Sequence, residues 1–241
     1  MERDLARRDV RQLPSGRHGI PRALIMADQR ARLLDGVMQV AARDGVQNMR
    51  ISDVIAAAGV SRRTFYDHFA NKELAFLAAY DMVIDALLER VDAAFGRGRT
   101  WPERVTLGLE AFLRHLAEGP DAAHVCIVDV LAAGPAAAAH RDHAMRRYHP
   151  YIVPGPTDIR RDVPISALTV ETVIGGLYEV VYTRVAAGRT AELPALLPHL
   201  LHASLLPFVG ADTASAHFRM AQRRLRTGAQ AASPHRDGLR R

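Results

Sequence analysis

Cysteine occurs once in the 241 residues, so no disulfide can form within the chain. Cys126 lies in a short apolar run, residues 125–128, and reads as a buried thiol rather than a nucleophile. No uninterrupted apolar stretch approaches the roughly 18 to 20 residues of a spanning helix. The Arg-rich amino terminus has no apolar signal core after it, so a cytoplasmic protein with no membrane partner is expected. Strand signals are nearly absent. Apolar residues recur instead at spacings of three and four, which predicts an all-α fold. No nucleophile, general base and orienting group occur together as a set, so neither an enzyme nor a cofactor is expected. Two histidine pairs at helical spacing, His140 with His143 and His199 with His202, raise the question of a metal site. Neither has a nearby cysteine or acidic cluster in a recognised arrangement, and solvated or interface histidines are expected with no metal.

What is present is charge, unevenly placed. Residues 1–72 hold 13 Arg/Lys against 8 Asp/Glu, residues 73–218 hold 12 against 17, and residues 219–241 hold 7 against 1. A basic beginning ahead of an acidic body suggests that a polyanion meets the amino-terminal part while the body meets something else. The order expected along the chain is a basic flexible arm (1–22), a three-helix DNA-binding domain (23–72), a larger helical domain (73–210) and a basic tail (211–241). Helices are predicted over 27–44, 52–58, 62–69, 72–95, 102–118, 122–133, 136–149, 169–187 and 193–208. Pro150 should end the middle series and Pro198 should kink or delay the last helix.

The segment 50–69 meets several requirements at once. Val54, Ile55, Ala58, Val60, Phe65 and Phe69 recur at core spacing. Gly59 can take the positive φ of a tight turn, and the Ser61 hydroxyl can cap the helix that follows. With the phenylalanines inside, Arg62, Arg63, Thr64, Tyr66 and His68 are left on the open side. A first turn dense in donors suits the major groove, where arginine reads guanine and hydroxyl or aromatic groups hold phosphates.

The stretch Ala56-Ala57-Ala58-Gly59-Val60-Ser61-Arg62-Arg63-Thr64-Phe65-Tyr66-Asp67-His68-Phe69-Ala70-Asn71-Lys72-Glu73-Leu74 resembles the tetracycline-repressor (TetR) family. The resemblance covers about 30–77 and, more weakly, the whole chain, since members carry a long helical domain afterwards. It implies that Arg62, Arg63 and Thr64 fall where base and phosphate contacts occur, Tyr66 and His68 where phosphates are held, and Lys72, the only lysine, at a helix start that also touches the DNA backbone. Where the family has a threonine opening the second helix, this chain has Arg50. The cap then moves to Ser52 or is supplied by water, and Arg50 can instead reach a phosphate. Arg11, Arg17, His18 and Arg22 can form an arm that enters the minor groove.

In the larger domain Gly175 and Gly176 interrupt an apolar helix, where glycine costs about 1 kcal/mol relative to alanine. Close approach of another helix is the simplest reason, and the resemblance implies a homodimer built on the last two long helices. Leu196, Leu197, Leu200, Leu201 and Leu205 are expected to supply its seam. Tyr178 and Tyr182 share a helix face, as core residues or as the border of a pocket. The expected function is sequence-specific binding of double-stranded DNA at a palindromic operator, with repression relieved by a small-molecule effector. The alternatives are an all-helical enzyme whose helix-turn-helix is structural, and an architectural DNA binder without effector.

Overall fold

A computed structural model of the protein describes residues 21–155 and 166–231, and of 228–231 the backbone alone. Every regular element among these residues is helical. The chain divides into two compact units, residues 1–79 and residues 80–241.

The first unit holds α1 (Arg22–Asp44), α2 (Ile51–Ala58), α3 (Arg62–His68) and the opening of α4 (Lys72–Phe95). α1 starts at Arg22, five residues before the apolar period begins, so Arg22 is helical rather than part of an arm; Arg11, Arg17 and His18 lie outside the described residues. Leu33, Leu34, Val37, Val40 and Ala41 line its inner face and are buried with Met49, Val54, Ala58, Phe65 and Phe69. α1 and α2 cross closely at Gly36, where a Cβ would lie 3.1 Å from the Val54 carbonyl oxygen and 3.2 Å from the Ala58 nitrogen. α4 opens under the cap of Asn71, whose Oδ1 accepts from the Leu74 N–H at 2.8 Å.

The second unit adds α5 (Trp101–Glu118), α6 (Pro120–Ile127), α7 (Pro135–Arg147), α8 (His149–Ile152), α9 (Ala167–Ala186) and α10 (Leu197–Ala231). Thr100 and Glu103 close a capping box at the start of α5. α6 stops at Ile127 and a 3-10 turn, Asp129–Ala132, continues it; an apolar pattern is the same for both helix types, so the single helix expected over 122–133 is two elements. Pro150 does not end the series but sits in the first turn of α8, where its missing N–H costs nothing. Pro198 acts as expected: a 3-10 helix, Thr190–Leu196, precedes α10, and the proline falls in the first turn of α10.

Beyond Phe208 the chain stays helical to Ala231, broken at Gly210 (φ 79°, ψ 173°), where a tail was expected from residue 211. The reversal lays Phe218 edge-on against His199 (centroids 5.1 Å apart) and His202 (6.1 Å), so this histidine pair brackets a ring. Ala214 and Ala221 are buried. The segment Thr190–Thr227 is long and apolar enough to cross a membrane by length and composition. Its Leu197, Leu200, Leu201, Leu205 and Phe208 are inside the unit's own core, which accounts for that composition. Those leucines are therefore core residues and not the expected seam.

Three side-chain bonds tie the acidic face of α4 to α7 and α8. His140 Nδ1 lies 2.9 Å from Asp81 Oδ1, Arg147 donates to Asp85 at 2.6 Å, and the Tyr151 hydroxyl donates to Asp92 at 2.7 Å. His140 is thus a hydrogen-bond partner of Asp81, and no cluster of three or more metal-ligating side chains occurs among the described residues.

Candidate nucleic-acid interface and ligand cavity

The turn between α2 and α3 is set by two residues. Gly59 closes α2 in the left-handed region (φ 62°, ψ 40°), and the Ser61 hydroxyl accepts from the Thr64 N–H at 3.0 Å while pairing with the Thr64 hydroxyl at 2.9 Å. Two rings turn inward here: Phe65 of α3 is fully buried and packs on Phe69, the residue that follows the helix, with centroids 5.9 Å apart. On the other side Ser61, Arg62, Arg63 and Tyr66 are exposed together. The Arg62 guanidinium carbon sits 5.8 Å from the Tyr66 ring centroid, and Tyr66 is braced edge-on by Phe65 at 5.5 Å. Thr64 is half-buried, its hydroxyl committed to the Ser61 cap.

The other expected site residues differ from this group. Arg50 is exposed at the start of α2 and offers no side-chain cap; Ser52 is already inside the helix, its hydroxyl 3.4 Å from Asp53 Oδ1, so the cap has not moved to Ser52. His68 is half-buried, and its Nε2 has no hydrogen-bond partner among the described residues. Burial, and then the charge of Arg30, lower its pKa, which keeps the ring neutral. Lys72 has work inside the unit: its ammonium donates to the Gln47 and Met49 carbonyls, both at 3.1 Å, and so ties down the loop between α1 and α2.

Two contributors escaped sequence reasoning. Arg32 pairs with Asp28 at 2.9 Å and donates to the Ala58 and Gly59 carbonyls at 3.0 and 3.2 Å, holding the end of α2 at the turn. Arg30 stacks on Phe69, 4.8 Å from the ring centroid. The Asp28 to Arg32 spacing of four was readable as a helix pair, but the reach across 26 residues was not.

The second unit contains a cavity of about 320 Å³. Leu87 and Val91 of α4, Leu109 and Phe112 of α5, Ile127 of α6 and Leu177 of α9 give it apolar walls. Cys126 is part of the wall, buried, and its thiol is pushed up to about 12 by burial. Tyr178 lines the same space, so the pocket alternative holds for it; its hydroxyl donates to the Ile127 carbonyl at 2.9 Å. Tyr182 stacks on Tyr178 with centroids 6.3 Å apart. At Gly175 and Gly176 an added Cβ would meet nothing within 4 Å among the described residues, so none of the described helices makes the close approach they were expected to admit.

A capped, donor-rich second helix set across a glycine turn from the first defines a DNA-binding helix-turn-helix regulator. Residues 33–79 match the family described as bacterial regulatory proteins, tetR family. No curated protein matches the sequence. Among solved structures, the chain is similar to the transcriptional regulator FadR from Bacillus subtilis in complex with stearoyl-CoA, at 19% identity over 74% of this chain and 98% of that one, with a TM-score of 0.65. FadR from Bacillus halodurans gives 18%, 73%, 94% and 0.66. RolR in complex with resorcinol gives 18%, 84%, 97% and 0.58. At these identities the likeness is one of fold, and it extends to the larger helical unit.

Proposed function

We propose that this protein is a repressor that grips a palindromic operator as a homodimer in the cytoplasm and releases it when a small molecule fills the cavity of its second unit. The observation that carries the reading is the outward face of α3, where Arg62, Arg63 and Tyr66 stand exposed on a helix pinned by the Ser61 cap. The contact set is Arg50, Ser52, Ser61, Arg62, Arg63, Thr64, Tyr66 and His68, with Lys72 supplying at most the ammonium proton its two carbonyls leave free. Arg62 and Arg63 read bases and phosphates, Ser61, Tyr66 and Arg50 position the backbone, and neutral His68 acts as a hydrogen-bond partner rather than a cation. One such helix per chain calls for two copies. The open face around Gly175 and Gly176, with Leu168 68% exposed beside it, supports a partner helix there. Ligand control is supported by the apolar cavity and by relatives of the same fold solved with stearoyl-CoA and with resorcinol.

The test is footprinting with purified protein on the promoters nearest its gene. Two protected half-sites with centres about 34 to 36 Å apart, or a further multiple of the helical repeat, are expected. Protection of a single unrepeated half-site by a protein that sediments as a monomer would refute the reading.

A further inference from the structure

The cavity walls are mostly hydrocarbon, with Arg90, His115, Glu118 and Arg141 among the polar side chains that line them, and at the Arg141 corner a buried hydrogen-bond donor lacks an acceptor. Arg141 of α7 lines the cavity, and its buried Nε has no hydrogen-bond partner among the described residues. Its Nη1 donates to Asp142 at 2.9 Å, and its guanidinium lies over the Tyr178 ring, 4.3 Å from the centroid, so the cation is held in place by an aromatic plate. The Tyr178 hydroxyl is used by the Ile127 carbonyl. Tyr80 and Tyr148 also line the space, within electrostatic reach of each other and, for Tyr80, of Arg141. Tyr80 is buried and Tyr148 half-buried. A guanidinium N–H is only a donor and a phenol brings one O–H, so the corner presents positive charge and hydrogen-bond donors. The acids on neighbouring elements are engaged elsewhere: Glu118 pairs with Arg90 at 3.1 Å and Asp81 with His140.

We infer that the cavity takes a hydrophobic acid, with a hydrocarbon or aryl body against the apolar walls and one carboxylate against Arg141, Tyr80 and Tyr148. This rests on the reading of the cavity as the effector site and names the chemistry of the effector. A neutral ligand of the same body offers the buried Nε no charged acceptor, and that difference sets selectivity. A purely apolar occupant would fill the walls and forfeit the corner.

The probes are decanoate, methyl decanoate and 1-decanol, titrated calorimetrically at pH 7.5 into the full chain and into Arg141→Met, Arg141→Lys and Tyr148→Phe. Wild type is expected to bind the acid about ten-fold or more tighter than the ester, the scale of one charge-assisted hydrogen bond. Arg141→Met, which keeps the length of the side chain and loses the charge, brings acid and ester together while ester affinity holds; Arg141→Lys restores part of the preference. Tyr148→Phe removes a donor without touching the charge and weakens the acid several-fold, so the idea stays testable if Arg141→Met does not fold. Equal affinity of wild type for acid and ester, no binding of the acid at millimolar concentration, or an undiminished preference in Arg141→Met would overturn it. Because the titration contains no DNA, it separates from the operator reading: acid selectivity without operator binding would sink only the latter, and operator binding without acid selectivity only the former.

Discussion

Lys72 shows how much a single side chain's neighbours change its meaning. As the one lysine in an arginine-rich chain it reads as a phosphate contact, yet two of its three ammonium protons go to the Gln47 and Met49 carbonyls. Lys72→Ala is therefore expected to lower the stability of the first unit by about 1 to 3 kcal/mol, since it strips a charged donor from two carbonyls. A thermal melt of the variant without DNA checks this, and an unchanged melting temperature would return Lys72 to a purely DNA-facing role. Arg63 and Tyr66 are exposed on the same face and make no such internal bonds, so their loss should leave the melt alone. Arg63→Ala is expected to relax the ranking among operator variants, by about 1 to 3 kcal/mol at the base it reads, whereas Tyr66→Phe weakens all sequences alike. Competition binding against a panel of single-base operator variants distinguishes the two. The sequence showed which of these side chains face outward because Phe65 and Phe69 fix the phase of a seven-residue helix. It did not show that Lys72, Arg32 and His68 are committed or half-covered, because the hydrogen-bond partners lie up to 27 residues away and no periodicity encodes them.

Between elements, the tightest constraint on the DNA-reading unit is the crossing of α1 over α2. Gly36 presents no Cβ to the Val54 carbonyl oxygen and Ala58 nitrogen, 3.1 and 3.2 Å from where one would be. Gly36→Ala is expected to force the two helices apart at a cost of about 1 to 3 kcal/mol, and to weaken operator binding with it because α3 is set by the end of α2. Chemical denaturation of the variant measures the cost; a stability equal to wild type would mean that the crossing has slack. Apart from the start of α1, which no local cap marks, the helix boundaries of this unit were legible because Gly45, Gly59, Ser61 and Asn71 each act locally, through a backbone dihedral or a cap one turn away. The later elements were harder to read. Pro150 is tolerated in a first turn as readily as it ends a helix, and Gly210 hides a reversal inside what scans as a helix followed by a charged tail. The leucines of α10 have the same spacing whether they face their own core or a partner, so periodicity could not choose between the two.

For the molecule as a whole, three histidines set a common response to acid. His68, His115 and His217 all have pKa values below the ordinary 6.5, with burial the leading cause in each. The folded chain therefore binds fewer protons than the unfolded chain as the pH falls past 6.5, and unfolding takes protons up. Their contribution is intact above about pH 6.5 and is lost as the pH drops toward the lowered folded values. Melting temperatures taken between pH 7.5 and 5 are expected to fall, and to fall less in His115→Gln; a flat profile would show that the rings charge freely in place. The cavity wall offers a second view of the same unit. With its thiol near 12, Cys126 holds only about one thiolate in ten thousand at pH 8, and its sulfur is covered, so a disulfide reagent can react only when the wall opens. The protein's sole cysteine is thus a built-in clock for breathing of the second unit, needing no engineered label. Its modification rate counts openings, and an occupant that fills the space should slow the count without touching the sulfur.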